Sequence, residues 1–138
     1  MTKMVHEVLA LVAAATSNQK KIEILRANDS LVLKTILVGT FDDRVIWDLP
    51  PGTPPYTPTD PKSIPSSLSK NLPNLQYFVA KGPGKDMLKL KREMKFIHLL
   101  ESIDQNDALV VLAMIAKQPP VGLTKPLVQE AFPNLIPN

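Results

Sequence analysis

Residues 104–116 of the chain read DQNDALVVLAMIA, a polar start followed by nine consecutive apolar residues at 108–116. Asp104 has a side chain that typically caps the first turn of a helix, and Asp107 adds a negative charge within that turn. A buried strand could carry the same apolar run, but the acidic start and the alanines favour a helix. Because apolar residues occur all round this helix, we predict that it is buried on every side.

The segment before it, from about Lys85 to Ser102, follows a break at Gly82-Pro83-Gly84 and is predicted to form a long helix. Residues 81–95 include six basic and two acidic side chains, so this window carries +4 although the whole chain carries +3. At about 100° per residue, the basic residues of the helix share an arc of about 160°. We predict that this arc is a basic face exposed to solvent.

The side opposite the basic arc is apolar, with the four residues Met87, Leu90, Met94 and Ile97. Phe96, Leu99 and Leu100 continue the basic side, so we expect the helix to emerge from the core at its N-terminal half.

Helical spacing of apolar residues predicts the remaining elements of the chain. These are residues 3–15, a helix starting at Ser17 or Asn18, a helix from Asp29-Ser30 to Gly39, residues 72–79, and a last helix from about Thr124 to Ala131. Seven of the 14 prolines lie between Pro50 and Pro65, which predicts an extended loop that is partly polyproline II. The sequence therefore predicts one all-α domain over residues 1–138, a compact bundle of about six helices.

Composition excludes several classes of protein. With no cysteine in 138 residues, the chain has no disulfide framework, thiol nucleophile or Cys-ligated metal site. No apolar run approaches the roughly 18 to 20 residues of a membrane span. Residues 8–15 imitate a short signal-peptide core, but His6 and Glu7 stand where a basic leader belongs. We therefore expect a soluble, cytoplasmic protein.

The sequence offers little for catalysis. His6 and His98 stand alone on predicted helices, without a carboxylate at metal-ligand spacing, so we expect no metal, no cofactor and no small-molecule substrate. Gly82-Pro83-Gly84-Lys85 resembles the end of a phosphate-binding loop, but the upstream glycine and the Ser/Thr after the lysine are missing. We predict that the protein is not an enzyme.

Two features could bind phosphate. The first is the basic face of the long helix, with Lys85, Lys89, Arg92 and Lys95. The second is Gly122-Leu123-Thr124-Lys125, where the start of the last helix supplies N–H groups, a hydroxyl and a positive charge. A solvated helix face and a plain capping motif are the alternative interpretations.

Both ends of the chain carry a family resemblance. At the start, Ala10 to Leu37 includes Ser17-Asn18-Gln19-Lys20-Lys21 and Asn28-Asp29-Ser30-Leu31-Val32-Leu33-Lys34, and at the end stand Gly122-Leu123-Thr124 and Phe132-Pro133-Asn134-Leu135-Ile136-Pro137. Taken in this order, the segments resemble the N-terminal DNA-binding domain of the ATP-dependent DNA ligases of tailed phages. The resemblance is clear at both ends and poor in the middle.

The resemblance implies an all-helical domain that grips the phosphates and minor groove of duplex or nicked DNA without reading its sequence. It implies phosphate contacts for Gly122, Thr124 and Lys125, and more weakly for Lys20 and Lys21. The Lys-x-Asp-Gly nucleotidylation motif of the ligases is absent, so we expect a stand-alone, non-catalytic phage protein in the host cytoplasm. Pro126 and the proline-rich loop also depart from the family.

The alternative function is protein interaction, by binding or inhibiting a host or phage replication, repair or transcription protein. Rigid prolines and exposed aromatic side chains make anchors of low conformational entropy. The residues that would form this surface are Trp47, Pro51, Pro54, Tyr56 and Pro58. The modest net charge of +3 favours this alternative, because proteins that coat DNA are usually more basic.

Overall fold

The computed structural model describes residues 3–50 and 52–136. Within these residues the chain forms seven α-helices and one short 3-10 helix, and no β-strand. The α-helices are α1 (Val5–Ala14), α2 (Asn18–Ala27), α3 (Leu31–Phe41), α4 (Leu68–Leu75), α5 (Lys89–Ser102), α6 (Gln105–Ile115) and α7 (Lys125–Ala131), and the 3-10 helix (Gln76–Phe78) follows α4. The predicted all-α class is confirmed.

Helix α6 is the hub of the bundle. It packs against α1, α3 and α5, while α2 packs against α1 and α7. Ala108, Val111 and Met114 are fully buried, but the side chain of Leu109 is 58% exposed. The prediction of a helix is therefore confirmed and the prediction that it is buried on every side is wrong, because its neighbours cover only part of its circumference.

Helix α3 continues through Gly39, which we expected to end it. A Cβ atom at Gly39 would lie 2.5 Å from the Sδ of Met114 and 2.7 Å from the Cζ2 of Trp47. The carbonyl of Gly39 also accepts a hydrogen bond from the Trp47 indole nitrogen at 2.9 Å. Because glycine has no side chain, Met114 of α6 and Trp47 can pack closely against α3 at this position. The helix ends two residues later.

Residues 52–65 contain no helix and lie along the C-terminal end of α5. The backbone N–H of Thr57 donates to the Glu101 carboxylate at 2.8 Å. The Thr59 hydroxyl donates to the backbone carbonyls of Glu101 and Ile103. Beyond it, the N–H of Ser66 donates to the carbonyl of Ser102 at 2.7 Å. These bonds fasten the segment to the bundle.

Two helix boundaries differ from those predicted. Helix α4 begins at Leu68, four residues earlier than expected, and has Pro73 inside it. Helix α5 begins at Lys89, and residues 85–88 form turns instead of its first turn. In both places the flanking glycines and prolines provided only a coarse indication of where the helix begins.

Candidate nucleic-acid interface

The first part of the candidate site is the N-terminal turn of α2. The Ser17 hydroxyl caps the helix by accepting the N–H of Lys20 at 3.2 Å, as the sequence predicted for a cap at this position. The Lys20 side chain is exposed to solvent. The Lys21 side chain turns across the surface, and its Nζ donates to the carbonyl of Gly122 at 2.9 Å.

The second part is the segment that leads into α7. Gly122 has a φ of +83°, a left-handed conformation that favours glycine. Thr124 caps α7 by accepting the N–H of Leu127 at 3.4 Å. Pro126 has no N–H, so the start of α7 contributes few free backbone donors and the positive charge comes mainly from Lys125.

One contact connects these two parts, and we call their five predicted residues the basic edge: Lys20, Lys21, Gly122, Thr124 and Lys125. The bond from Lys21 to Gly122 connects residues that are 101 positions apart in the chain. All five residues come from the two segments that carry the family resemblance. The structure therefore brings Lys21 and Gly122 into contact, and the other three residues lie beside them in the chain.

An open groove of about 520 Å³ lies beside Lys125, between the end of α3, Trp47 and Lys117. The Nζ of Lys125 lies 3.5 Å from the carboxylate of Asp43, an exposed residue, so part of its charge is offset. Burial lowers the pKa of Lys117, whose Nζ donates to the carbonyl of Asp42 at 2.8 Å, while the nearby Asp42 and Asp43 charges oppose the shift. The groove therefore has a mixed electrostatic character, with two lysines and one exposed carboxylate.

Arg44 pairs with Asp42 at the same end of α3. The guanidinium of Arg44 donates to both carboxylate oxygens, at 3.1 and 2.9 Å. These hydrogen bonds hold the pKa of Asp42 below its usual range, although burial opposes the shift. The same pair raises the pKa of Arg44. This ion pair fixes the turn that follows α3.

Helix α5 lies apart from the basic edge, because it packs against α6 and the 3-10 helix and not against α2 or α7 to any comparable extent. Lys85 and Lys89 are exposed, as predicted. Lys95 is half-buried, and its Nζ lies 5.0 Å from the centre of the Tyr77 ring. The structure thus separates the predicted DNA-binding residues into two surfaces.

The prediction that Arg92 lies on an exposed basic face is wrong. Arg92 is 7% exposed, and its guanidinium donates to the backbone carbonyls of Asp48, Gly84 and Met87 at 3.0 to 3.3 Å. It also pairs with the Asp48 carboxylate at 3.2 Å. These acceptors offset the cost of removing the charge from water, so Arg92 is a structural residue. The sequence could not show that they lie beside it.

The buried side of α5 is the continuation of the basic arc, with Arg92, Phe96, Leu99 and Leu100. Leu90 and Met94, on the side opposite the basic arc, are 68% and 61% exposed. Residues 88–91 are all exposed, as expected for a helix whose N-terminal end leaves the core, and the buried side begins at Arg92.

His6 has a carboxylate partner that its neighbours in the sequence do not reveal. Its Nδ1 lies 2.6 Å from the Asp107 carboxylate, which also accepts the His6 backbone N–H at 3.1 Å. Asp104 stands 3.8 Å away. The contact links α1 to the start of α6 across 101 positions of sequence, a separation at which no local pattern could have predicted it. His98 is exposed.

The residues of the alternative interaction surface are less available than expected. Trp47 is half-buried with its indole N–H bonded to Gly39, and the half-buried Tyr56 packs against the core. Pro54 is half-buried and Pro58 is exposed, while Pro51 lies outside the described residues. The prediction of exposed aromatic anchors is therefore wrong.

Two other kinds of site are absent from the described part of the chain. Within residues 3–50 and 52–136, no three His, Cys, Asp or Glu side chains form a group that could hold a metal ion. No helix in the same ranges has the length and apolar character needed to cross a membrane.

The geometry defines the protein as an all-helical domain with a lysine-bearing edge between α2 and α7. Residues 8–119 match a family described as "Family of unknown function (DUF6433)", and the chain belongs to this family. No curated protein matches the sequence.

Proposed function

We propose that the protein is a non-catalytic module that binds duplex DNA through the basic edge without reading its sequence. The observation that carries the proposal is the 2.9 Å contact between Lys21 and Gly122. It joins the two segments whose sequences resemble the DNA-binding domain of phage DNA ligases. A module of phage origin that acts in the host cytoplasm is the setting that this resemblance supports.

The chemistry of the basic edge suits a phosphate backbone better than base edges. Lys20 is exposed and Lys125 is partly exposed, so their Nζ groups can approach phosphates. Lysine charges contact phosphates irrespective of sequence, whereas base recognition needs side chains that fit the grooves. We therefore expect affinity that depends steeply on salt and little on sequence.

The test is fluorescence anisotropy of the protein with labelled intact duplex, nicked duplex and single-stranded DNA, at about 50 and 200 mM salt. Lys20→Glu with Lys125→Glu reverses two charges of the basic edge and leaves the Lys21 contact in place. The matched control is Lys62→Glu with Lys70→Glu, because both lysines are exposed and the charge change is the same.

We expect the wild-type protein to bind duplex DNA and the basic-edge variant to bind at least about tenfold more weakly, a loss of about 1.4 kcal/mol. The control variant should lose much less. Absence of binding at the lower salt, or equal losses in both variants, would contradict the proposal. A preference for the nicked duplex would indicate a role in repair or in the control of ligation.

The alternative function, protein interaction through the proline-rich loop, has less support. Trp47 and Tyr56 pack against the domain, and Glu101 holds the backbone of the loop. Deleting residues 52–64 would therefore disturb the bundle as well as the loop. Substituting the exposed Pro58 by alanine is a cleaner way to test the loop against a captured partner.

A further inference from the structure

The groove beside Lys125 combines an apolar lining with charged side chains. Its volume of about 520 Å³ lies within the range of small-molecule sites in proteins. The apolar lining includes Ile46, Trp47 and Ile115, and the charged lining consists of Asp43, Lys117 and Lys125. The groove can therefore contact a ligand that is apolar in one part and charged in another.

Trp47 is held in a fixed position along this groove. Its indole N–H donates to the carbonyl of Gly39 at 2.9 Å. The backbone on either side of Trp47 is joined to residues 78–80 by two hydrogen bonds of 2.7 Å. An ordered indole that lines an open groove is a surface on which a nucleobase can stack, whichever base it is. Because the ring is already ordered, little conformational entropy is lost when a base binds to it.

The charges of the groove restrict the chemistry of its ligand. Lys117 and Lys125 supply positive charge, and the exposed Asp43 carboxylate lies 3.5 Å from the Nζ of Lys125. A carboxylate repels a bare anion but accepts hydrogen bonds from amino and hydroxyl groups. A ligand that carries both a phosphate and hydrogen-bond donors is therefore complementary to this group of charges. A nucleotide has a phosphate, donors on its base and sugar, and a flat apolar face.

Ile46 adds an exposed apolar side chain to the groove. It is 62% exposed and precedes Trp47 in the chain. A base in the groove would remove part of this side chain from water. Proteins that hold unpaired or unstacked bases frequently place an apolar side chain beside them. The pair of Ile46 and Trp47 thus suits a base that has left its stack.

We propose that this groove, with Ile46, Trp47, Asp43, Lys117 and Lys125, binds a single nucleotide, with the base against the apolar lining and the phosphate at the lysines. The nucleotide is either free or an unpaired nucleotide of bound DNA. Lys125 belongs both to the groove and to the basic edge. For a nucleotide of bound DNA the inference rests on the proposed function, whereas for a free nucleotide it does not.

The same observations disfavour three other ligands. Inorganic phosphate would leave Ile46 and Trp47 uncovered and would meet the Asp43 carboxylate. An acidic peptide would bring more carboxylates to Asp43. A purely apolar molecule would remove the lysines from water without a partner for their charges. A nucleotide is the ligand class that uses both the apolar and the charged lining.

The first test uses the fluorescence of Trp47, which is the single tryptophan of the chain. The full-length protein is titrated with deoxyadenosine monophosphate, and separately with deoxyadenosine and with deoxyribose phosphate. We expect saturable quenching by the nucleotide. Each of the two fragments should bind at least about tenfold more weakly, because each lacks one of the two parts that the groove contacts.

The second test identifies the source of the nucleotide. It compares a duplex that contains one unpaired adenine with the same duplex fully paired. Quenching by the first duplex alone would assign the nucleotide to DNA, and quenching by deoxyadenosine monophosphate without an effect of the unpaired adenine would assign it to a free nucleotide. Lys20→Glu, outside the groove, should weaken DNA binding and leave quenching by deoxyadenosine monophosphate unchanged.

Variants of the groove test the two parts of its lining. Ile46→Ser and, separately, Lys117→Met should each weaken nucleotide binding about tenfold. Ile64→Ser and Lys62→Met are the matched controls, because both side chains are exposed outside the groove, and they should leave binding unchanged. Helical circular dichroism checks the fold, since Lys117 also donates to the carbonyl of Asp42. Ile46→Ser avoids this contact and changes a side chain that is already largely in water.

Three results would overturn the proposal. The first is the absence of quenching by both deoxyadenosine monophosphate and the duplex with the unpaired adenine. The second is equal binding of the nucleotide and of either fragment. The third is quenching that is unchanged in Ile46→Ser and in Lys117→Met, which would assign the ligand to a second groove that Trp47 lines with residues of α3 and α4.

The outcome for the proposed function is separate. If the protein binds no duplex DNA but deoxyadenosine monophosphate still quenches Trp47, the proposed function is contradicted and the nucleotide site is supported.

Discussion

Helix α5 buries its arginine and exposes a leucine and a methionine, whereas the helices beside the basic edge, α2 and α7, expose Lys20 and bury apolar residues such as Leu25 and Leu127. Both regions attract attention in the sequence for their positive charge. In α5 the charge is divided between a structural role inside the domain and a lysine border outside it. The comparison teaches that the number of cations in a segment does not indicate which way a helix faces.

The largest expected effect comes from removing the buried charge of Arg92. Arg92→Met should lower the free energy of unfolding by about 2 to 4 kcal/mol, because three carbonyls and the Asp48 carboxylate lose their donor. Arg92→Lys should fall between the wild type and Arg92→Met. Urea denaturation followed by circular dichroism measures the effect, and Lys91→Met is the exposed control. Equal stability of Arg92→Met and wild type would show that the guanidinium is dispensable.

The burial of Arg92 also limits which substitutions on α5 can test DNA binding. Replacing Lys89 and Arg92 together by glutamate would weaken DNA binding for the wrong reason, because a carboxylate at position 92 would lie among backbone carbonyls. Substitutions on α5 that test binding should therefore be limited to the exposed lysines.

The salt dependence of DNA binding distinguishes the lysines of the basic edge from the lysines of α5. Lys20→Ala with Lys125→Ala should reduce the log–log salt slope by about 1.8, since each neutralised phosphate contributes about 0.9. Lys89→Ala with Lys91→Ala should leave the slope unchanged if the basic edge is the DNA surface. The measurement is an anisotropy titration at several salt concentrations. The opposite ranking would move the DNA surface to α5.

A smaller effect is expected from the ion pair beside the basic edge. Because Arg44 holds the pKa of Asp42 below its usual range, the ionised carboxylate contributes stability that is present at neutral pH. Asp42→Asn should therefore cost about 1 kcal/mol at pH 7. The difference from wild type should shrink as the pH falls below about 4, where the unfolded-state carboxylate and then the native one become protonated.

The measurement is urea unfolding at pH 7, 5 and 3, with the exposed Asp86→Asn as control. A difference between Asp42→Asn and wild type that stays constant with pH would show that the carboxylate charge is not what stabilises this turn.

The smallest effect is expected at the exposed apolar residues Leu90 and Met94 of α5. Leu90→Ser with Met94→Ser should change the free energy of unfolding by less than about 0.5 kcal/mol, because both side chains are already largely in water. Thermal unfolding measures this. A large destabilisation would show that these two side chains are covered within the protein itself.

The sequence was most informative where structure depends on neighbouring residues. Ser17, Ser30, Asp104 and Thr124 cap the helices whose starts were expected near them. A cap requires only a short polar side chain within three residues of a free N–H, so its pattern is local. The all-α class follows from the same kind of short-range periodicity.

The candidate site was predictable only in part. The basic edge was found because resemblance pointed separately to its two segments, although their contact was not foreseen. The burial of Arg92 was missed because Asp48 and Gly84, which supply its acceptors, lie outside its helix. The link between His6 and Asp107 was missed for the same reason, since its two residues are 101 positions apart.

The sequence by itself determined the helices, their caps, the break at the prolines and the positions of the charges. Only the tertiary structure decided that Gly39 lies inside a helix against Trp47 and Met114, that Leu109 reaches solvent, and which side of α5 is buried. The physical reason is the separation along the chain of the residues that interact. Helix formation depends on hydrogen bonds between residues about four positions apart, whereas burial depends on partners that folding brings from distant parts of the chain.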